Sequence, residues 1–187
     1  MMEHPFALRG HVYTHALLEA IERVPRMWTW LTERQDYKGS AHADTQCIVL
    51  RGPSGELMDE PFDCIQADDY WPADVLRAPM LDVLGQLQVI APWRELGRMM
   101  VVRLKPGGYV LPHVDEGAYA NHYTTRLHVA MTDSPLAFLN VRDKPRSFRQ
   151  HECWQIDHLS SHYARNCDSV SPRIHLIVDL LEENQDV

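Results

Sequence analysis

The carboxy-terminal half of the chain carries a row of short apolar segments with turn-forming residues between them. The segments are rich in β-branched and aromatic side chains, which favour strands, and Gly- or Pro-containing clusters at 106–108 and 132–135 separate several of them. They cover residues 99–104, 109–111, 126–130, 136–141, 153–157, 162–164 and 174–180. Short strands at regular spacing predict a sandwich or barrel with a ligand site in its mouth.

The amino-terminal half has a different pattern. In residues 11–34, apolar side chains recur at helical spacing until a proline interrupts them, which predicts one kinked helix or two short ones. A second helical pattern over residues 79–90 is expected to pack on the barrel, and residues 45–51 predict a strand that extends a sheet. The prediction is a mainly β fold with flanking helices, in which residues 1–97 are mostly helical support with one or more added strands and residues 98–181 form the β core.

Two of the predicted strands place polar side chains where a core would be apolar. Alternate residues of a strand share a face, so Arg126 and His128 lie on one side of their strand, and Arg173 and His175 on one side of theirs. A buried charge without a partner is costly, which makes such pairs unusual in a purely structural strand. An anionic ligand would supply the missing partner.

One of these segments leads into a candidate metal motif. His113 and Asp115 are two residues apart, so in an extended segment both point to the same side and can reach one ion. With His162 from a distant strand, they would form the two-imidazole, one-carboxylate set of a mononuclear non-haem iron(II) oxygenase. The alternative is a solvated turn after Pro112 with an unrelated His162, because the chain has 11 histidines.

The order of these motifs resembles the aspartyl/asparaginyl β-hydroxylase family of 2-oxoglutarate-dependent oxygenases. The resemblance covers about residues 98–181, and several neighbouring residues match at once, which makes it more specific than any single motif. The residues that carry it are Arg103-Leu104-Lys105-Pro106-Gly107-Gly108, His113-Val114-Asp115, Arg126-Leu127-His128-Val129, Glu152-Cys153-Trp154-Gln155-Ile156-Asp157, His162-Tyr163-Ala164-Arg165-Asn166 and Arg173-Ile174-His175-Leu176-Ile177-Val178-Asp179.

The resemblance implies a double-stranded β-helix of the jelly-roll or cupin kind, and an enzyme that uses iron(II), 2-oxoglutarate and O2 to hydroxylate an amino acid, free or within a peptide. Arg173 would pair with the distal carboxylate of 2-oxoglutarate, and Arg126 with His128 would lie near the other end of the cosubstrate. An Arg fork suits this task because it meets a carboxylate with two parallel hydrogen bonds. The implied iron ligands are His113, Asp115 and His162.

The same three metal ligands are also compatible with a second function. A cupin-like metal protein could bind or isomerise a small acid without any oxygen chemistry. Arg173 separates the two interpretations, because such a protein has no need for a cation eleven residues beyond its last metal ligand, His162.

Two segments are candidates for substrate contact. Residues 117–125 are predicted to form a loop at the mouth of the barrel and contain His122 and Tyr123. The segment from His42 to Arg51 lies where the amino-terminal strand of the resembled family approaches the active site. For both segments, an ordinary polar loop is an equal alternative. The short chain favours a small molecule or a short peptide as substrate.

Composition narrows the class of protein. A chain of 187 residues with 45% hydrophobic content suits one domain with its own core, and a formal net charge of −8 argues against a nucleic-acid partner. The cysteines, Cys47, Cys64, Cys153 and Cys167, have no metal or redox spacing, as expected of reduced thiols in a cytoplasmic protein. The sequence contains no recognisable signal peptide and no apolar run of roughly 20 residues, so we expect no membrane partner.

Overall fold

The computed structural model describes residues 2–36, 38–53 and 64–183, and within these ranges the strands form two sheets. The larger sheet has seven strands in the order β1-β9-β6-β11-β4-β2-β3, and the smaller has four in the order β5-β10-β7-β8. Neighbouring strands are antiparallel throughout. The strands are β1 (Phe6–His11), β2 (Thr45–Pro53), β3 (Ala67–Asp69), β4 (Trp93–Leu104), β5 (Tyr109–His113), β6 (Thr125–Ala130), β7 (Ala137–Val141), β8 (Lys144–Arg146), β9 (Glu152–Ile156), β10 (His162–Asn166) and β11 (Arg173–Glu182).

Most of the helices belong to the amino-terminal half, as the apolar pattern predicts. The first helical pattern is broken at Pro25, where a 3-10 turn, Pro25–Thr29, follows the first helix. The helices are α1 (His15–Glu22), α2 (Glu33–Asp36), α3 (Trp71–Val75), α4 (Arg77–Ile90) and α5 (Gly117–His122). None of the helices in the described ranges is long and apolar enough to cross a membrane.

Two apolar cores lie on opposite faces of the larger sheet. One joins α1 and α4 to the outer face, where Leu127 and Leu176 are fully buried. The other lies between the two sheets and includes Ala130 from the larger sheet and Val110 from the smaller. Because successive residues of a strand alternate between faces, the polar residues of β6 and β11 point into the space between the sheets.

One sequence-based expectation needs correction. The predicted loop over residues 117–125 is wrong in its first part, because Gly117–His122 forms α5. Tyr119 on this helix is only 2% exposed, so packing of its ring holds the segment in a helical turn. The expected division after residue 97 lies within β4, and strands from both parts of the chain pair in one sheet; this division of the domain stays a prediction.

Candidate active site

The structure brings His113, Asp115 and His162 together at one end of the space between the sheets. His113 ends β5 and is the direct cross-strand partner of His162, which begins β10. The ligand atoms of the three side chains all lie within 4.8 Å of one another. His113 Nε2 is 3.9 Å from Asp115 Oδ1, and His162 Nε2 is 3.9 Å from Asp115 Oδ2. The solvated-turn alternative does not predict this convergence.

A β-bulge in β5 precedes this meeting point. In a regular antiparallel ladder, the residue two after His162 would face the residue two before His113. Instead, Ala164 faces Val110, so β5 carries one extra residue. Pro112 lies within this irregular stretch, and a proline is tolerated at a bulge because it has no N–H to donate to the ladder.

Backbone carbonyls orient both imidazoles. His113 Nδ1 lies 2.8 Å from the carbonyl oxygen of Leu111, and His162 Nδ1 lies 2.9 Å from that of Ser160. A carbonyl oxygen can only accept, so each Nδ1 carries the proton and each Nε2 turns its lone pair towards Asp115. Burial lowers the pKa of His162 to about 4, which keeps this ring neutral at physiological pH.

Asp115 is ionised at this position. Burial alone would raise the pKa of its carboxyl group, but the Arg126 guanidinium outweighs burial and holds this pKa well below its usual range. Arg126 Nη1 donates to Asp115 Oδ2 in a close ion pair. The backbone N–H of Asp115 donates to the carbonyl oxygen of His158 at 3.3 Å. The two imidazoles and this fixed carboxylate are donors that suit a divalent non-haem metal.

Arg126 is held by a second carboxylate. Its Nε and Nη2 donate to Asp179, its cross-strand partner on β11, at 2.6 and 3.0 Å. The Tyr119 hydroxyl donates to the same carboxylate at 3.0 Å and accepts the backbone N–H of Arg98 at 2.6 Å. A Cβ added at Gly97 would lie 2.7 Å from this hydroxyl, so the tyrosine occupies its position because Gly97 has no side chain.

Arg173 lies at the end of β11 that is far from Asp179, and its partners differ from those of Arg126. The residue is 7% exposed, and its Nη2 lies 2.9 Å from His175 Nδ1. In the described ranges, no carboxylate oxygen lies within 4.0 Å of its guanidinium, and burial lowers its pKa to about 10. His128 is also buried, and its Nδ1 has no hydrogen-bond partner among the same residues. The Arg173 end therefore combines a buried cation with an imidazole nitrogen that has no partner among the described residues.

The histidines at this end do not offset the charge of Arg173. Burial, with Arg173 as the next cause, holds the pKa values of His128 and His175 well below the usual range. Both rings are neutral at physiological pH. A buried cation among neutral groups is costly, so this end could accommodate an anionic ligand.

Comparisons with known proteins agree with this geometry. A profile of the aspartyl/asparaginyl β-hydroxylase family matches residues 71–183. The chain belongs to this family. As a member of it, the protein is an oxygenase of the hydroxylase type. A search of the curated proteins finds no match.

One solved structure supports the fold, and two further matches are weaker. An oxidoreductase of the 2OG-Fe(II) oxygenase family from Burkholderia pseudomallei is similar over 88% of this chain and 78% of its own, with 12% identity and a TM-score of 0.50. This likeness confirms the predicted double-stranded β-helix. A predicted oxalate decarboxylase from Thermotoga maritima matches 46% of this chain and 67% of its own (17% identity, TM-score 0.36). A cupin domain from Bordetella pertussis matches 46% and 83% (15% identity, TM-score 0.36).

The residues predicted to contact substrate do not lie in one place. His42 is beside the candidate metal ligands, with its ring centroid 4.8 Å from that of His113. Arg51 and Tyr123 instead line a surface cleft of about 390 Å³ whose lining includes none of the three candidate ligands. His122 lies next to Tyr123 and pairs with Glu95 at 2.9 Å. The substrate role of these residues stays a prediction.

Several residues around the candidate ligands have no predicted role in the sequence analysis. The carboxylate that holds Arg126 comes from Asp179, which ends one of the family-like runs but faces Arg126 only through the pairing of β6 with β11. Period-two spacing from Arg173 places Asp179 on the inner face, and this is the signal that the sequence offers. The others in this group are Arg34, Arg98, Tyr119 and His158.

Proposed function

We propose that the protein is an iron(II)- and 2-oxoglutarate-dependent dioxygenase that hydroxylates an amino acid or an amino-acid residue in a peptide. The observation that carries this proposal is the convergence of His113, Asp115 and His162 at one end of a β-helix core. The buried Arg173 on the same inner surface supports it, because its unmatched charge suits a dicarboxylate cosubstrate.

We assign iron ligation to His113 and His162 through Nε2 and to Asp115 through its carboxylate. The hydrogen bonds from both Nδ1 atoms fix the tautomer that metal binding requires, and Arg126 fixes the carboxylate. Three protein ligands leave coordination positions open for a keto acid and oxygen. When bound, iron(II) and 2-oxoglutarate would supply the oxidising chemistry that replaces a substrate C–H bond with C–OH, with succinate and CO2 as the other products.

We assign the distal carboxylate of 2-oxoglutarate to Arg173. A guanidinium stays charged when buried and presents parallel N–H groups, whereas a lysine would present a single ammonium group. His128, whose Nδ1 lacks a partner among the described residues, would donate to or accept from the same ligand. Arg126 is engaged by Asp115 and Asp179, so we propose that it positions the metal carboxylate, and its contact with 2-oxoglutarate stays a prediction.

The alternative, a cupin-like metal protein that binds or isomerises a small acid, is less well supported. It accounts for the three metal ligands but gives no reason for Arg173 to be buried without a carboxylate partner among the described residues. The match to the hydroxylase family also favours oxygen chemistry.

The domain organisation, the cellular location and the partners of the protein are also proposals. We propose that the chain is one oxygenase domain, because β1 and β2 from the amino-terminal half pair into the same sheet as β4 and β11. The four cysteines have no metal or redox spacing in the sequence, which suits a cytoplasmic protein. The acidic net charge of −8 favours a small-molecule or peptide substrate over nucleic acid.

The test measures 2-oxoglutarate turnover directly. The iron-loaded protein is incubated with 2-oxoglutarate, oxygen and a panel of amino acids and short peptides, and succinate formation is followed together with the mass of each candidate substrate. We expect one panel member to stimulate succinate formation and to gain one oxygen atom. The matched control is Arg103→Gln, because Arg103 lies over Trp28 on the outer face of β4 and should not affect the reaction. Absence of an iron(II)–2-oxoglutarate complex in the wild-type protein would contradict the proposal.

A further inference from the structure

Arg34 is another arginine without a carboxylate partner in the described ranges, and it lies partly buried beside the candidate metal ligands. It belongs to α2, and its Nη1 reaches 2.8 Å from Met100 Sδ on the inner face of β4. Its Nη2 lies 3.0 Å from His42 Nε2. Across residues 2–36, 38–53 and 64–183, no carboxylate oxygen lies within 4.0 Å of this guanidinium.

The partners of Arg34 leave its charge unmatched. A guanidinium has only donors, so the imidazole nitrogen of His42 must accept, and an accepting imidazole is neutral. The thioether of Met100 is a weak and uncharged acceptor. Burial is the main cause that lowers the pKa of Arg34, yet arginine stays protonated at physiological pH. The cation is therefore held in place by neutral groups.

Hydrogen bonds through Ser40 connect Arg34 to His42 next to the candidate metal ligands. The Ser40 hydroxyl donates to the carbonyl oxygen of Arg34 and accepts the backbone N–H of His42 at 3.1 Å. The His42 ring then packs edge-on against His113, with 4.8 Å between the ring centroids. This hydroxyl thus couples the end of α2 to the imidazole that contacts a candidate iron ligand.

The side chains around the candidate metal position also carry more positive than negative charge. Arg34, Arg98 and Arg126 are close enough to affect one another electrostatically, together with Asp115 and Asp179. Both carboxylates already bind Arg126. Bound iron(II) would add two positive charges, of which the carboxylate beside the keto group of 2-oxoglutarate would offset one, and the distal carboxylate would pair with Arg173. Arg34 therefore faces the reaction space with a charge that neither reactant offsets.

We infer that Arg34 binds a carboxylate of the substrate and is a specificity-determining residue of this site. This inference rests on the proposed oxygenase function and adds the chemical class of the substrate group. The carboxylate is either the α-carboxylate of a free amino acid or the side-chain carboxylate of an acidic residue in a peptide. His42 and Met100 hold the guanidinium in position until that group arrives.

The experiment measures substrate binding rather than turnover. The full chain is loaded with iron(II) and 2-oxoglutarate without oxygen, and the visible charge-transfer band reports that this complex has formed. Calorimetric titrations then use the twenty free L-amino acids and the C-terminal amide of each one that binds. The N-acetyl amides of aspartate and glutamate carry only a side-chain carboxylate and represent a peptide residue. The variants are Arg34→Gln, Arg34→Lys and the outer-face control Arg103→Gln.

We expect a probe with a carboxylate to bind the wild type and the Arg103→Gln control equally. Arg34→Gln should weaken this binding by about 10- to 100-fold, the range for a lost charge-assisted hydrogen bond, and Arg34→Lys should retain part of it. The probe that lacks the carboxylate should bind wild type and Arg34→Gln with the same weak affinity. Binding of free amino acids but not of the N-acetyl amides identifies the α-carboxylate, and the reverse identifies the side chain.

Two results would overturn the inference while the proposed function stands. In the first, the charge-transfer band forms normally but no carboxylate probe binds the wild-type complex, or one binds Arg34→Gln equally well. In the second, Arg34→Gln weakens iron binding instead, which would make Arg34 a structural counter-ion of Asp115. A missing band in the wild type would instead count against the proposed function itself.

Discussion

Arg126 and Arg173 line the same inner surface from neighbouring strands, yet their surroundings are opposite. Arg126 bridges two carboxylates, Asp115 and Asp179. Arg173 contacts a neutral histidine and has no carboxylate partner in the described part of the chain. The end of the site that contains Arg126 is therefore electrostatically matched by its own residues, whereas Arg173 has no matching carboxylate in the described part of the chain. This contrast is what the proposed roles of the two arginines require: Arg126 positions a metal ligand, and Arg173 binds an anionic cosubstrate.

The largest effect is expected when a candidate iron ligand is removed from the end of the site that contains Arg126. His162→Ala should lose iron(II) binding, and succinate formation should fall to the background level, because two protein ligands hold iron poorly. Arg173→Gln, in comparison, should still bind iron. Equilibrium dialysis of iron and circular dichroism of both variants separate loss of metal from loss of fold. Wild-type succinate formation by His162→Ala would place the iron elsewhere.

The next effect is on stability. Arg126→Gln leaves two carboxylates without their cation, and removing one partner of a buried ion pair costs about 3–5 kcal/mol. The free energy of unfolding, measured by urea titration of the iron-free protein, should fall by that amount. Arg173→Gln removes a cation that has no carboxylate partner among the described residues, so its unfolding free energy should match or exceed that of the wild type. An equal loss in both variants would contradict the difference between the two ends.

Cosubstrate binding should depend on the unmatched end. Arg173→Lys keeps the charge but loses the planar fork, and we expect it to weaken 2-oxoglutarate binding by about 1–3 kcal/mol. Arg173→Ala should weaken it further. The measurement is an anaerobic titration of the iron-loaded protein with 2-oxoglutarate, followed by the charge-transfer band. Unchanged affinity in Arg173→Ala would move the dicarboxylate elsewhere and favour the cupin-like alternative.

The smallest expected effect is a loss of stability at acidic pH. The folded-state pKa values of His128 and His175 are well below the ordinary value of 6.5, so the unfolded chain binds protons that the folded protein excludes. Stability is then present above pH 6.5 and is lost as pH falls below it, by about 1 kcal/mol per histidine over the first pH unit. Urea unfolding at pH 7.5 and 5.5 should give a smaller difference in His175→Gln than in the wild type, by about this amount. The same pH dependence in both proteins would mean that His175 is protonated in the folded state.

Residues that are close together in the chain are the part of the site that the sequence predicts best. Period-two spacing alone puts His113 with Asp115 and Arg126 with His128, and the family resemblance adds His162. The spacing of residues along the chain does not predict which residue lies opposite on the neighbouring strand. The resemblance places Arg126 beside 2-oxoglutarate, whereas the register that sets it opposite Asp179 depends on the pairing of β6 with β11.

Long-range contributions from other segments are harder to predict. Arg34 lies on a four-residue helix, and nothing in its local sequence indicates that its side chain reaches Met100. Tyr119 lies in a segment whose sequence predicts a loop, and its hydroxyl reaches Asp179 because that segment is helical and Gly97 leaves room. The strands of the carboxy-terminal half are predictable because their apolar runs are regular, whereas these contacts depend on tertiary packing.

The extra residue in β5 makes the length of the chain as important as its residue types. Because of this extra residue, Val110 and His113 are three positions apart and still point to the same face; in a strand without the bulge, a histidine three residues after Val110 would point to the opposite face. Both imidazoles would still be present in the sequence, but they would no longer meet. A designer who transplants the His-x-Asp motif into another barrel would have to carry this irregularity along with it.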